Sequence, residues 1–179
     1  MTLSLVALIL AAPVLGFSAV NIVDRRGWES QIATDCLQPG EARACVGVLR
    51  VPSLGADWAR PIIDERQAQP GDTGVTWVSG TTAPGDIGNF VVAGRRLGGG
   101  QPGAEIIVET PSHVYTYVID VAPKTLTTNE FDSWVLDPVP GNPAVVPQQA
   151  LLTVIVRQDL WPTRDRSVGV AVLRHTVEK

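Results

Sequence analysis

The sequence is short of the side chains that most often carry catalysis or hold metals. It has two histidines, His113 and His175, and two cysteines, Cys36 and Cys45, and neither cysteine lies near a histidine along the chain. A structural zinc site usually needs four such ligands at short spacing, and a calcium loop needs a run of oxygen ligands that this sequence does not have. We therefore expect no metal and no cofactor.

Basic residues are few and scattered. Lys and Arg number 14 against 18 Asp and Glu, the formal net charge is -4 and the sequence pI is about 5.1. No cluster of basic residues is longer than two, whereas a protein that binds nucleic acid needs a positive surface for the phosphates. Nucleic-acid binding is therefore not expected.

The two cysteines predict one disulfide. Cys36 and Cys45 flank a short stretch that contains Pro39 and Gly40, which favour a turn. A bond between them would close a short loop, and such bonds persist mainly in oxidising compartments. The alternative is that one of the two is a reactive thiol, which the absence of a nearby histidine disfavours.

Charged residues are missing from Thr2 to Val23. About 20 apolar residues in a helix can cross the hydrocarbon core of a bilayer, so residues 1–23 are predicted to be a transmembrane anchor. The alternative is a secretory signal with Gly16 and Ser18 near a cleavage site, although no basic region precedes the apolar stretch.

The orientation of this anchor follows from two opposing signals. Arg25 and Arg26 lie just after the span, and the positive-inside rule would keep that side in the cytoplasm. Long domains, however, translocate largely regardless of flanking charge, and the predicted disulfide indicates an oxidising compartment. We expect a single-pass protein of the cell membrane with its domain on the extracytoplasmic side.

Glycine and proline are frequent, at 17 and 14 residues, and the apolar runs are short and β-branched. This composition predicts an all-β barrel or sandwich with tight turns and short helical connectors. We predict a linker at 24–45 and one β domain at 46–179. Within that domain the patterns predict a connector at 53–83, a hairpin turn at 111–113, a long loop at 124–149 and a last strand at 166–172.

Two stretches carry most of the functional information. One runs from Pro84 to Arg96 and reads PGDIGNFVVAGRR, and the other runs from Leu151 to Trp161 and reads LLTVIVRQDLW. Six aliphatic or β-branched residues in a row favour a buried strand, and Arg157 lies where that strand would leave the core. A functional site is therefore expected at this strand end.

Both stretches resemble segments of the sortases, which are cell-surface transpeptidases of Gram-positive bacteria. The first resembles the family segment PGxxGNFxxAGHR, and the second resembles the nucleophile strand LLTLTTC. The resemblance covers residues 46–173 and is greatest to the class D and class E branches. It implies a sortase-like closed β-barrel, with Arg95 in the place of the catalytic histidine, Arg157 in that of the cysteine, and Arg166 matching the family arginine.

The arginines in the places of the histidine and the cysteine change what chemistry the site can perform. A sortase needs a thiolate that attacks the substrate carbonyl, an acid or base beside it, and a cation that stabilises the oxyanion. A guanidinium is a donor that stays protonated, so neither Arg95 nor Arg157 can take over the lost roles. The sequence also has no GxSxG motif. We expect no catalytic residues, and we expect Arg95, Arg157 and Arg166 to mark a vestigial site.

The three arginines are predicted to converge in a cationic pocket that binds a carboxylate, a phosphate or an acidic group of a partner. The alternative is that acids of the same chain, such as Asp159 and Asp165, neutralise them or that they extend into solvent.

Three functions follow from these patterns. The favoured one is a catalytically inactive accessory or scaffold subunit of an integral membrane protein complex, for which a respiratory complex or a transporter would be a suitable host. The second is a module that binds a peptide, a lipid headgroup or a glycan in the vestigial groove. The third is a transpeptidase with a displaced nucleophile.

Overall fold

The computed structural model describes residues 35–37, 45–69, 74–95, 97, 100–129, 132–157 and 165–179. The predicted anchor at 1–23 and most of the linker at 24–45 lie outside these ranges, so both stay predictions. Within the described ranges, no helix has the length and apolar character to cross a membrane.

The described fold consists of strands joined by turns and single-turn helices. The strands are β1 (Cys45–Arg50), β2 (Ala59–Asp64), β3 (Val75–Trp77), β4 (Gly88–Arg95), β5 (Glu105–Glu109), β6 (His113–Thr128), β7 (Ala150–Arg157) and β8 (Arg166–Glu178). The helices are 3-10 turns at Pro52–Leu54, Glu65–Gln67 and Trp134–Leu136.

These strands close into one barrel in the order β1-β2-β3-β4-β7-β8-β6-β5. The prediction of an all-β closed barrel with short helical connectors is confirmed. Two of the neighbouring pairs, β2 with β3 and β4 with β7, are parallel, and the others are antiparallel. Because parallel strands run in the same direction, β4 and β7 finish at the same end of the barrel. The candidate site lies at that end.

Inward-facing side chains of every strand fill the barrel. The core includes Leu49, Ile62, Val75, Phe90, Ile106, Tyr117, Leu152 and Ala171. Trp77 packs against Phe90 with ring centroids 6.1 Å apart. Burial of each large apolar side chain contributes about 1.5–3 kcal/mol, so this core is the main source of stability.

The predicted connector at 53–83 is wrong, because it contains strands β2 and β3. Pro61 and the shortness of β3 hide the strand pattern in the sequence. The two strands are held by their neighbours: Ile62 pairs with Val75, and Thr76 pairs with Ala93. Pairing between distant segments, which local sequence does not reveal, makes these residues strands.

Two further boundaries differ from the prediction. The loop predicted at 124–149 begins after Thr128, because β6 continues past Pro123 through an irregularity in its pairing with β8. Pro123 packs over Gly169, where a side chain would not fit. The last strand, predicted at 166–172, extends to Glu178, because its exposed second half pairs with the start of β6.

The predicted disulfide between Cys36 and Cys45 is confirmed, with Cα atoms 5.5 Å apart. It ties the segment before the barrel to the start of β1. Cys36 is buried and packs with Val48 and Ala59 on the outer side of β1 and β2. The bond therefore fixes the point at which the N-terminal part of the chain leaves the barrel.

Replacing both Cys36 and Cys45 by serine is expected to lower the free energy of unfolding by about 2–3 kcal/mol, because the short closed loop is released in the unfolded chain. Thermal unfolding of the full-length protein in detergent, with and without reductant, measures this change. Reductant should destabilise the wild type and leave the variant unchanged. Equal melting of the reduced and oxidised wild type would contradict a stabilising role for the bond.

The C-terminal end of β8 is fastened by a small ion cluster. The Glu109 carboxylate accepts from Arg50 Nε at 2.9 Å and contacts Lys179 Nζ at 2.8 Å. Partial burial opposes ionisation of Glu109, but the hydrogen bonds from Lys179 and Arg50 outweigh it and hold the pKa of this carboxyl below its usual value. The cluster thus links β1, β5 and the last residue of the chain.

Candidate functional site

Arg95, Arg157 and Arg166 lie side by side at one end of the barrel. The strands β4, β7 and β8 are neighbours, and the Cα atoms of Arg95 and Arg157, and of Arg157 and Arg166, are register partners. Strands are spaced by about 4.8 Å, so the backbones of the outer two are roughly 10 Å apart. We call this row of three residues the arginine row and its end of the barrel the arginine end.

The side chains of the row differ in their surroundings. Arg95 is exposed and Arg166 is half-buried, with Nη1 donating to the Asp165 carbonyl at 3.3 Å. Each of the two takes part in at least one further interaction. The side chain of Arg157 and residues 158–164, which include Asp159, lie outside the described part of the chain. The predicted convergence of the three guanidinium groups therefore stays a prediction, although their backbones adjoin.

Thiols and imidazoles lie away from the arginine row. The sequence has two cysteines, and both belong to the disulfide. His175 lies nine residues beyond Arg166 on β8, about 30 Å along an extended strand. His113 begins β6, whose other end pairs with Arg166. The register partners in the row are therefore all arginines. The two histidines of the chain lie towards the opposite end of the barrel.

His113 belongs to the hairpin between β5 and β6, where its ring stacks on Tyr115 with centroids 5.6 Å apart and hydrogen-bonds to Ser112 Oγ at 2.8 Å. The hairpin was predicted at this point and is confirmed. Among the residues that the structure describes, no group of three His, Cys, Asp or Glu is arranged to hold a metal ion.

The outer face of β4 and β7 is covered. Phe90 and Leu152 point into the barrel, so Asn89 and Thr153 point outward, yet both are almost fully buried. Part of the segment from 132 to 149 lies over Asn89, namely the helical turn at Trp134–Leu136 and the Asp137 that follows it. The chain itself therefore covers this part of the outer face of the barrel.

Asn89 is the residue that fastens this covering segment. Its Nδ2 donates to the carbonyls of Val135 and Asp137, both at 2.9 Å, and its Oδ1 accepts from Thr153 Oγ1 at 2.7 Å. Sequence reasoning took Asn89 only as part of a motif and missed this network. The signal was present, because Asn89 and Thr153 are single polar residues inside otherwise apolar strands, and buried polar groups need partners.

The turn that precedes β4 is fixed by two tyrosines of β6. The Gly85 N–H donates to Tyr117 Oη at 2.8 Å, and the ring of Tyr115 packs against the Gly85 Cα. Burial raises the pKa of Tyr117 to about 12, so its phenol stays neutral. Burial, and secondarily the charge of Asp86, also raises the pKa of Tyr115. The Pro-Gly part of the motif thus serves the packing of this turn.

The identity of the fold is decided by comparison with known proteins. The family model described as the sortase domain matches residues 49–173, which include β4, β7 and the arginine row. The chain belongs to the sortase family. No curated protein matches the chain significantly.

Solved sortase structures agree with this assignment. Sortase E from Streptomyces avermitilis is 27% identical, with a TM-score of 0.59, over 73% of this chain and 88% of that one. Sortase E1 from Streptomyces coelicolor, solved with a tripeptide in its active site, is 23% identical with a TM-score of 0.60, over 76% and 94%. The SrtF sortase from Corynebacterium diphtheriae is 18% identical with a TM-score of 0.63, over 75% and 87%. The last two show the common fold.

Proposed function

We propose that this sortase-family protein is catalytically inactive and serves as a membrane-anchored accessory or scaffold subunit of a membrane protein complex, outside the cytoplasm. The observation that carries the proposal is the arginine row. Arg95 and Arg157 stand where the family resemblance expects the histidine and the cysteine, and their backbones are register partners on β4 and β7. Adjacent strand ends are where a sortase would need those two groups.

The chemistry of the row supports inactivity. Transpeptidation needs a thiolate, and both cysteines of this chain are bonded to each other at the start of β1. A guanidinium cannot attack a carbonyl, nor can it give and regain a proton near neutral pH. The role that the row retains is that of a fixed positive charge, which by itself forms no acyl intermediate.

Incubation of the full-length protein with sorting-signal peptides is expected to give no transpeptidation and no acyl adduct. An active sortase treated in parallel should give both. Intact-mass spectrometry after acid quenching, with peptide mapping of Cys36 and Cys45, measures the adduct. A covalent acyl group on the wild-type chain would overturn the proposal and would favour an enzyme with a displaced nucleophile.

The membrane part of the proposal rests on the uncharged stretch from Thr2 to Val23 and on the disulfide. The stretch is long enough to span a bilayer, and the disulfide suits an oxidising compartment. Its small residues Ala11, Ala12 and Gly16 would permit close packing against another helix. A host complex such as a respiratory enzyme or a transporter would accommodate both the helix and the outer domain.

Exchange of residues 3–22 for an unrelated spanning helix tests whether the anchor contributes to assembly. We expect the exchanged protein to stay in the membrane and to lose most of the partner that copurifies with the wild type in mild detergent. Quantitative mass spectrometry of both purifications measures the loss. Unchanged partner stoichiometry would mean that the helix is an anchor and nothing more.

A second candidate is an anion-binding module, which the in-register arginine row favours. Adjacent guanidiniums repel each other by about 1 kcal/mol per pair in water-like surroundings, so an anionic group would stabilise them. Acids of the same chain could serve equally, since Arg95 and Arg166 already have interaction partners. Binding of a carboxylate or phosphate ligand that is unchanged in the Arg95→Ala, Arg157→Ala double variant would contradict this candidate.

A further inference from the structure

The end of β8 runs past the strand that flanks it on one side. β7 begins at Ala150, and its pairing with β8 starts at Leu151 and Val172. Beyond this point β8 continues to Glu178, and in the described part of the chain it keeps β6 as its one neighbouring strand. Residues 174–178 are all exposed. We call the side of these five residues that faces away from β6 the open edge.

A proline accounts for the end of the pairing between β7 and β8. Continuation of their register would set Pro147 opposite Thr176, and proline has no N–H to donate to a ladder. Among the residues that the structure describes, no backbone hydrogen bond from another segment reaches Thr176 or Glu178 on this side. The barrel is closed, yet this last part of β8 leaves a sheet edge without a partner strand.

The backbone groups of Thr176 and Glu178 face the open edge. Glu178 is the register partner of His113. His113 bonds in the other direction, because its N–H donates to the Thr110 hydroxyl and its carbonyl accepts from the Thr110 N–H. His113 and Glu178 are therefore a non-hydrogen-bonded pair, and since such pairs alternate along an antiparallel ladder, Thr176 does not bond to β6 either. The N–H and carbonyl groups of both residues thus point away from β6.

The open edge complements a second copy of itself. Antiparallel pairing centred on Val177 brings the two Val177 side chains, each 59% exposed, together at a two-fold axis. Thr176 of each copy then lies opposite Glu178 of the other, so all four outward N–H groups meet a carbonyl. The exposed Arg174 lies diagonal to Glu178 of the other copy, within reach of an opposite charge. A strand of another sequence would match the backbone groups alone.

We propose that two copies of this chain join by antiparallel pairing of their open edges, with the two-fold axis at Val177. An exposed row of N–H and carbonyl groups is a template for strand addition, and here the added strand is the same strand of the second copy. Arg166 lies eight residues before Arg174 on β8, about 26 Å along the strand, so both arginine ends stay clear of the contact. The pairing goes beyond the proposed function and does not depend on it.

Cysteine crosslinking of the full-length protein in its native membrane tests the pairing. Non-hydrogen-bonded partners have Cα atoms about 4.5 Å apart, a distance that a disulfide can bridge. Val177→Cys is expected to give a disulfide-linked dimer on mild oxidation, because the two native cysteines are bonded to each other. Leu54→Cys is the matched control, since Leu54 is 36% exposed on the turn after β1 and should stay monomeric. Nonreducing gel electrophoresis and mass spectrometry of the linked peptides measure both.

Proline at the open edge tests whether backbone pairing holds the two copies. Thr176→Pro removes an outward N–H that no bond within the barrel uses, so an edge strand should tolerate it. Added to Val177→Cys, it is expected to lower the crosslinked fraction about tenfold or more, whereas Thr176→Ala keeps the N–H and should leave that fraction unchanged. Glu178→Pro and Glu178→Ala repeat the comparison at the second outward N–H, so a variant that folds poorly at one position does not decide the result.

Three results would each overturn the pairing. The first is the absence of a dimer from Val177→Cys under conditions in which its thiol is accessible to a small alkylating reagent. The second is a crosslink from Val177→Cys to a different protein, which would mean that a foreign strand occupies the open edge. The third is an equal crosslinked fraction in the proline and alanine variants, which would mean that the copies meet without sheet pairing. None of these results bears on the proposed function as an inactive subunit.

Discussion

Asn89→Asp is expected to destabilise the barrel by about 3–5 kcal/mol, because it places a carboxylate against two carbonyl oxygens in a buried site. The amide nitrogen of Asn89 now donates to Val135 and Asp137, and a carboxylate has no proton to give them near neutral pH. The oxygen that accepts from Thr153 would be kept. The loss of stability therefore reports on the two hydrogen bonds from the Asn89 amide that hold the covering segment.

Thermal or denaturant unfolding of the full-length protein in detergent measures this effect. A loss of this size lowers the melting temperature by roughly 10 °C in a domain of about 150 residues. Asn142→Asp is the matched control, because Asn142 lies in the same covering segment, is exposed, and makes one long contact to the Pro140 carbonyl. It should change stability by less than about 0.5 kcal/mol. Equal effects of the two variants would show that the Asn89 network does not hold the segment.

Gly85→Ala is expected to cost about 3–4 kcal/mol, since it combines an unfavourable backbone with a steric clash. The φ of Gly85 is +87°, a region that residues with a side chain enter only at a cost. An added Cβ would overlap the ring of Tyr115, which cannot swing away easily because His113 is stacked on it. The turn would also lose the Tyr117 hydroxyl as acceptor if it moved.

Gly80→Ala separates the two causes. Gly80 has a φ of +85°, almost the same as Gly85, but nothing lies within 4 Å of an added Cβ. Its replacement should therefore cost only the backbone part, about 1 kcal/mol. Unfolding curves of both variants under one condition give the difference directly. If the two glycines tolerate alanine equally well, the close approach of Tyr115 is not a constraint on the turn.

The all-β barrel and several of its elements were predictable from the sequence. Alternating and β-branched runs are local signals, so β4 and β7 could be placed, as could the hairpin before His113. The disulfide followed from two cysteines and a turn between them. Strands β2 and β3 were missed because Pro61 and a length of three residues weaken the local pattern, and only their neighbours make them strands.

The sequence predicted which residues form the arginine row, and the structure brings their backbones together. Resemblance to sortase motifs indicated Arg95, Arg157 and Arg166, and the register of β4, β7 and β8 brings their backbones into one row. The burial of Asn89 and Thr153 was not foreseen, because it depends on a segment more than 40 residues away that lies over the outer face. When a distant segment buries the outer face of a strand, the only sign of it in a single sequence is a polar residue within an apolar strand.

The place of β8 in the barrel has a consequence for how the protein is made. It is the last strand in the chain, yet it lies between β7 and β6 and pairs with both. Because the chain is synthesised from its N-terminus, β6 and β7 are exposed before β8, the strand that pairs with both, has been made. The barrel therefore cannot close early. Until residues 166–178 arrive, β6 and β7 lack the strand that joins them, and the barrel stays open. Closure then follows release, with the ion cluster around Glu109 fastening the final residues.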